Sequence, residues 1–266
     1  RVSAVNQYWQ GKPLSEQCNV QFGEGGAGTF SDGKLNTMTH DKYGRIEEVL
    51  HTFVTYGADS DILYLNKPHI GTDRLREIVV RMRNDICKLG GNVYFDTCLT
   101  GITVDDKHTT ATSDGLAIRE ITVIQNGKKQ TIPCSCLILA TGHSARDTFS
   151  MLYEHSLIMQ AKPFAVGFRI EHPAEMIRTS QYGKSADAAL LPPADYKLTH
   201  QTPEGRSVYS FCMCPGGYIV DASSERGRIA VNGMSNHLRD AVNSNSAIVV
   251  NVTPQDFEEA CGRNEK

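Results

Sequence analysis

Apolar residues recur at helical spacing in two stretches of the first third of the chain. Ile46, Val49, Leu50, Phe53 and Val54 follow an i, i+3, i+4, i+7, i+8 pattern that stops at Gly57. Leu75, Ile78, Val79, Met82 and Ile86 repeat it between Thr72 and the Gly90-Gly91 stop. Both predict amphipathic helices ended by glycine. Val2, Val5 and Trp9 predict another helix at the start, and Pro254 opens one near the end, at a first-turn position that tolerates it.

Three runs then take on strand character: Asn92 to Val104, Ala117 to Gln125 and Gln130 to Ala140, the last two joined around an Asn126-Gly127 turn. They predict a β-meander. Its last strand becomes the unbroken apolar run Cys136-Leu-Ile-Leu-Ala140, the pattern of a strand buried on both faces of a parallel sheet. A helix is expected from Ser144, whose hydroxyl can cap it, with Phe149 and Leu152 toward the core. Beyond Lys162 the pattern shortens to strands and turns at Phe164 to Ile170, Ser207 to Cys212, Tyr218 to Ala222, Arg228 to Asn232 and Ala247 to Val252. A second, β-rich domain follows, with its boundary between residues 155 and 165.

Residues 19–37 carry five glycines and no helical period, so an irregular loop with exposed backbone is expected there. Two phosphate-binding fingerprints nearly match it. Gly23-Glu-Gly25-Gly-Ala-Gly28 satisfies G-x-G-x-x-G, but neither a convincing buried strand before it nor a helix after it is predicted. Gly28 to Lys34 matches a P-loop, but Leu35 stands where a Ser or Thr hydroxyl should reach Mg²⁺. A plain surface loop and a P-loop nucleotide-binding protein remain as alternatives.

Composition narrows the classes. Of the 266 residues 40% are hydrophobic and 21% charged, and no apolar run approaches the roughly 18 residues a membrane helix needs. A net charge of −3 offers no basic field for nucleic acid or anionic lipid, so small-molecule partners are expected. The eight cysteines occur singly or as Cys-x-Cys pairs, and they read as reduced thiols of a cytoplasmic protein. The chain starts inside a helix without Met and stops within another, so a fragment truncated at both ends is expected.

Five segments taken together carry a resemblance. They are Phe22-Gly-Glu-Gly-Gly-Ala-Gly-Thr-Phe-Ser-Asp-Gly-Lys-Leu35, Leu139-Ala-Thr-Gly-His-Ser-Ala-Arg-Asp-Thr-Phe149, Lys162-Pro-Phe-Ala-Val-Gly-Phe-Arg-Ile-Glu-His-Pro173, Phe211-Cys-Met-Cys-Pro-Gly-Gly217 and Asn232-Gly-Met-Ser235. In this order they resemble the uncharacterised FAD-dependent dehydrogenase family of bacteria, flavoproteins of the glutathione-reductase-like FAD/NAD(P)-binding fold. The resemblance implies an α/β fold: a Rossmann-like FAD-binding domain with a β-meander, and an inserted β-rich domain. It also implies that residues 1–158 are a partial FAD-binding domain lacking its first βα unit. Residues 159–266 are then the β-rich substrate domain, without the C-terminal return to the FAD domain.

Glycines let a cofactor approach the backbone without a Cβ clash, so Gly25, Gly26, Ala27, Gly28 and Thr29 are the first candidate FAD contacts. Ser31, Asp32 and Lys34 are candidates for the flavin ring edge or ribityl chain, Lys34 as a balancing positive charge. By resemblance the backbone at Cys98 or Leu99 passes the adenine, and Thr141, Gly142, His143 and Arg146 form a second FAD contact. His143 is a weak catalytic candidate because imidazole titrates near neutrality, and Arg146 offers its fork of donors to a phosphate. Cys212 and Cys214 are the other weak catalytic candidates, presented by the turn Pro215-Gly-Gly217. Two Cys-x-Cys pairs lack the knuckle spacing of structural zinc, so no metal site is expected. The implied function is an FAD-dependent oxidoreductase acting on a small organic substrate, with NAD(P)H a candidate reductant. The alternative from another class is a non-catalytic scaffold that binds no FAD by itself.

Overall fold

A computed structural model describes residues 1–35, 40–105, 117–184 and 190–262 of the chain. In chain order the elements are α1 (Val2–Trp9), a short 3-10 helix (Gly26–Phe30), α2 (Arg45–Thr55), a second 3-10 helix (Ser60–Leu63), α3 (Thr72–Lys88), β1 (Thr97–Asp105), β2 (Ala117–Gln125), β3 (Lys128–Pro133) and α4 (Arg146–Glu154). There follow β4 (Phe164–Pro173), α5 (Ala174–Tyr182), β5 (Thr199–Gln201), β6 (Ser207–Cys214), β7 (Tyr218–Asp221), β8 (Val231–Met234), β9 (Asn243–Val252) and α6 (Pro254–Gly262). The result is a mixed α/β protein with several antiparallel sheets. Two units are formed, one from residues 1–84 with 161–266 and the other from residues 85–160.

In the first unit the helical periods turn most of the expected side inward, though Val49 of α2 stays 51% exposed. Leu50, Phe53 and Val54 of α2 and Leu75 and Met82 of α3 pack around Ala58, Ile62, Ile70 and Ile78. A second cluster joins Val5 of α1 to Val20, Phe30 and Ala222, with Trp9 edge-on to Phe30 at 5.9 Å between ring centroids. The strands beyond residue 163 build a four-stranded sheet in the order β4-β9-β6-β5 and a separate hairpin of β7 with β8. Strand β6 carries a bulge between Phe211 and Cys214, where Cys212 takes a φ of +49°. A bulge bends its strand and redirects the side chains that follow.

The second unit contains the β-meander, β1-β2-β3, closed between β2 and β3 by Asn126 and Gly127 at φ +49° and +75°, the left-handed pair of a type I′ turn. The expected buried strand at Cys136–Ala140 does not form. A strand buried on both faces needs hydrogen-bonded neighbours, and among the described residues none pairs with this run, which leaves Ile138 86% exposed. Ser144 does not cap α4 either. Ala145 holds the cap position without a side-chain bond, while the Ser144 hydroxyl meets His143 Nε2 at 3.3 Å. Leu152 is buried as expected; Phe149 remains 38% exposed.

Candidate functional site

The glycine-rich loop of the first unit is folded around a cation. Arg1 donates from Nε to the carbonyl of Asn19 (3.0 Å), from Nη1 to Glu24 O (2.6 Å) and Thr29 Oγ1 (3.1 Å), and from Nη2 to Val20 O (2.6 Å) and Gly26 O (2.8 Å). Only a guanidinium has enough fixed donors for five such acceptors. Thr29, 3% exposed, donates its hydroxyl to Gly26 O at 3.0 Å and receives Arg76 Nε on its own carbonyl at 3.0 Å. Several carbonyls of the loop thus turn inward. Gly26, at φ +56°, has nothing within 4 Å of where a side chain would start, whereas a Cβ on Gly25 would lie 2.4 Å from Thr29 Cγ2. The lack of a side chain at Gly25 serves the loop's own packing; at Gly26 it leaves open space beside a backbone whose N–H goes to Gly23 O and whose carbonyl is taken by Arg1 and Thr29.

Directly after this loop comes its anchor. Asp32 is 1% exposed, and Arg239 grips it with two prongs, Nε to Oδ1 at 2.9 Å and Nη2 to Oδ2. Ser235 donates its hydroxyl to Oδ1, Cys214 its thiol at 3.6 Å, and the Lys34 ammonium lies 3.4 Å from Oδ2. Burial alone would push the Asp32 carboxyl up, but the hydrogen bonds and charge of Arg239, with Lys34 and Ser235, outweigh it and hold it below the ordinary carboxylate range. The same surroundings act oppositely on Cys214. Burial first, then the Asp32 charge, push its thiol to about 12, so it is a hydrogen-bond donor and not a thiolate. Arg239 also contributes to the wall of a cleft of about 230 Å³, together with Arg178, Gly216 and Ser244.

A third segment clasps loop and anchor together. Ile70 N donates to Gly33 O and Leu35 N to Pro68 O, both at 3.0 Å, making Lys34 and His69 partners in an antiparallel bridge. A Cβ on Gly33, whose φ is +67°, would fall 2.8 Å from Gly71 N, so only glycine permits this approach. Thr72 N reaches Ser235 O at 3.0 Å. The rings of His69 and His237 stack at 5.4 Å, His69 Nε2 donating to His237 O at 2.9 Å and His237 Nδ1 to Ile70 O at 3.1 Å. His237 Nε2 stands 3.4 Å from Asp59.

The first unit therefore brings together Gly25, Gly26, Ala27, Gly28, Thr29, Ser31, Asp32, Lys34 and Cys214, while Cys212, on the β6 bulge, gives its carbonyl to Arg169 at 3.2 Å. The second unit holds the rest. There Leu99 pairs with Val123 in the meander, and Thr141, Gly142 and His143 form an exposed approach to Arg146 at the start of α4. Neither phosphate-loop fingerprint finds its expected setting: a 3-10 helix of five residues follows Gly25, and Lys34 sits in a β-bridge with its ammonium turned to Asp32. Arg1, His69, His237 and Arg239 carried no motif, and Ser235 was visible only as the last residue of Asn232-Gly-Met-Ser235. Among the described residues no group of three or more His, Cys, Asp or Glu could hold a metal ion, and no helix is long and apolar enough to cross a membrane.

Residues 163–264, a range that includes β4 to α6, match the family model described as FAD-dependent protein, C-terminal domain-like. The chain is also 47% identical over 259 residues to an uncharacterized protein of Clostridium beijerinckii, an alignment that covers 97% of this chain and 46% of that protein. It spans about half the length of the relative it matches. The part of the chain that supplies Cys214, Ser235 and Arg239 to Asp32 is thus similar to a domain of FAD-dependent, flavoprotein-related proteins.

Proposed function

We propose that the chain is part of an FAD-dependent oxidoreductase and that its glycine loop is a secondary FAD contact. One observation carries the reading: the segment similar to FAD-dependent proteins grips Asp32 at the foot of that loop through Ser235 and Arg239. The loop fits the cofactor in part. Gly26 leaves open space for a ligand to approach the loop, and Lys34, 29% exposed, adds a positive charge at the edge, while the Ser31 hydroxyl, which donates to Gly28 O, can offer a ligand only its oxygen. Thr29 and Asp32 are buried and support the loop from beneath, with Gly25 packed on Thr29.

In this reading residues 1–158 contribute to a Rossmann-like FAD-binding part and residues 159–266 form the β-rich part. Within the second unit, Leu99, Thr141, Gly142, His143 and Arg146 are the residues proposed for FAD contact there. FAD, when bound, supplies hydride or electron-pair transfer to or from a small organic substrate, NAD(P)H being the candidate reductant. The chain's own residues orient it, and Lys34 favours negative charge on the bound group. Cys214, buried and held protonated, acts as part of the anchor, which leaves His143 and Cys212 as the exposed and half-exposed candidates for chemistry.

A scaffold that holds flavin only with further protein is the second reading, favoured by the match to 46% of the relative. The test purifies this chain and the C. beijerinckii relative, incubates both with FAD, removes free cofactor and records absorbance. Flavin retained by both supports the proposal. Flavin on the relative alone supports the scaffold, and two colourless proteins contradict the flavoprotein reading.

A further inference from the structure

His69 lies across the β-bridge from Lys34, and antiparallel bridge partners send their side chains to the same side. Its Nε2 stands 2.9 Å from the carbonyl oxygen of His237, which can only accept, so the ring proton sits on Nε2. A hydrogen bond made by one imidazole nitrogen decides what the other can do. Nδ1 is left with a lone pair. The described buried polar atoms without a partner are His172 Nε2 and Asn245 Nδ2, so Nδ1 of the half-buried His69, for which the described residues provide no donor, is not fully sealed from solvent.

The groups around the ring keep it neutral. Burial is the largest influence, the positive charge of Arg239 the next, and stacked His237 adds to both. The bond to His237 O and the charge of Asp32 oppose them and lose, leaving His69 below the ordinary histidine value. Lys34 adds a cation across the bridge, and Asp59 and Asp73 lie on the far partner, against His237 Nε2 and the His237 backbone N–H. A neutral acceptor beside a lysine is a paired device: one group binds negative charge, the other takes a hydrogen bond.

We propose that His69 is a ligand-binding residue of this face, its Nδ1 accepting a hydrogen bond from an N–H or O–H group of the molecule whose negative charge Lys34 binds. The inference rests on the FAD reading above, since FAD carries phosphates together with ring N–H and ribityl O–H donors. Protonation of Nδ1 removes the acceptor, so binding weakens in acid.

The test combines ¹⁵N NMR of the imidazole of His69, assigned through its backbone, with FAD titrations of the wild-type chain and His69→Gln. Glutamine keeps a side-chain N–H for His237 O but does not titrate. The ligand-free wild type is expected to show the Nε2–H tautomer at about pH 7.5. FAD moves the Nδ1 resonance, and wild-type affinity falls by up to roughly tenfold per pH unit once His69 protonates, while His69→Gln binds weakly with a flat profile. An Nδ1–H tautomer or an imidazolium at about pH 7.5 overturns the assignment. FAD binding without an Nδ1 shift, or with equal pH dependence in the variant, overturns the contact and leaves the FAD reading standing. A wild type that binds no FAD overturns this contact, and the FAD reading falls with it when the C. beijerinckii relative binds none either.

Discussion

Asp32 and Arg239 stand 207 positions apart in sequence and meet as a two-pronged ion pair, with Nε 2.9 Å from Oδ1 on a carboxylate that is 1% exposed. Breaking a buried pair from one side strands the other charge, at a cost of about 3 to 5 kcal/mol. Arg239→Met is therefore expected to lower stability by about that amount in urea unfolding, with Asp32→Asn close behind. If either variant unfolds like the wild type, the anchor contributes nothing.

The same pair sets an acid limit. Because the Asp32 carboxyl titrates below its unfolded value, the folded protein binds fewer protons near pH 4 than the unfolded chain does. Its stabilisation is complete above the unfolded value of about 4 and is lost as pH falls through the folded one. Urea midpoints measured from neutral pH down to about pH 3 should fall less steeply in Asp32→Asn than in the wild type.

Two glycines of the loop separate structure from function. Gly33→Ala forces a Cβ to 2.8 Å from Gly71 N at a left-handed φ and is expected to cost about 2 kcal/mol or more. Gly26→Ala meets nothing within 4 Å and costs about 1 kcal/mol of backbone strain, yet its methyl fills the open space beside the loop and should weaken FAD binding by about tenfold. Thermal unfolding with FAD titration distinguishes the two. Equal FAD affinity in Gly26→Ala and the wild type argues against close approach at this position.

Thiol chemistry provides a separate check. Cys214 is fully buried with its thiol pushed to about 12, whereas Cys87 and Cys136 are exposed. Iodoacetamide on the native protein at about pH 8 should label Cys87 and Cys136 and spare Cys214, as read by peptide mass spectrometry. Rapid labelling of Cys214 contradicts the anchor geometry.

Local pattern made the helices α2 and α3, the meander and the Asn126-Gly127 turn legible, because each depends on neighbours a few positions away. Helix α5 was not, since Ala-Glu-Met-Ile-Arg-Thr-Ser-Gln-Tyr has no clear apolar stripe. The apolar run at Cys136–Ala140 reads as a strand, but a strand is a property of its pairing partners. The candidate site divides in the same way. Its glycines, Ser31, Asp32 and Lys34 stand in one motif, while Arg1, His69, Ser235 and Arg239 reach them through contacts 25 to 207 positions long that no spacing rule encodes.

The central claim, that the loop running from Gly25 to Lys34 contacts FAD, is tested most directly by amide hydrogen exchange of the chain with and without saturating FAD. The account predicts slowed exchange across residues 25–35, reached in Gly26→Ala only at about tenfold higher FAD. Unchanged exchange there at saturation would contradict it.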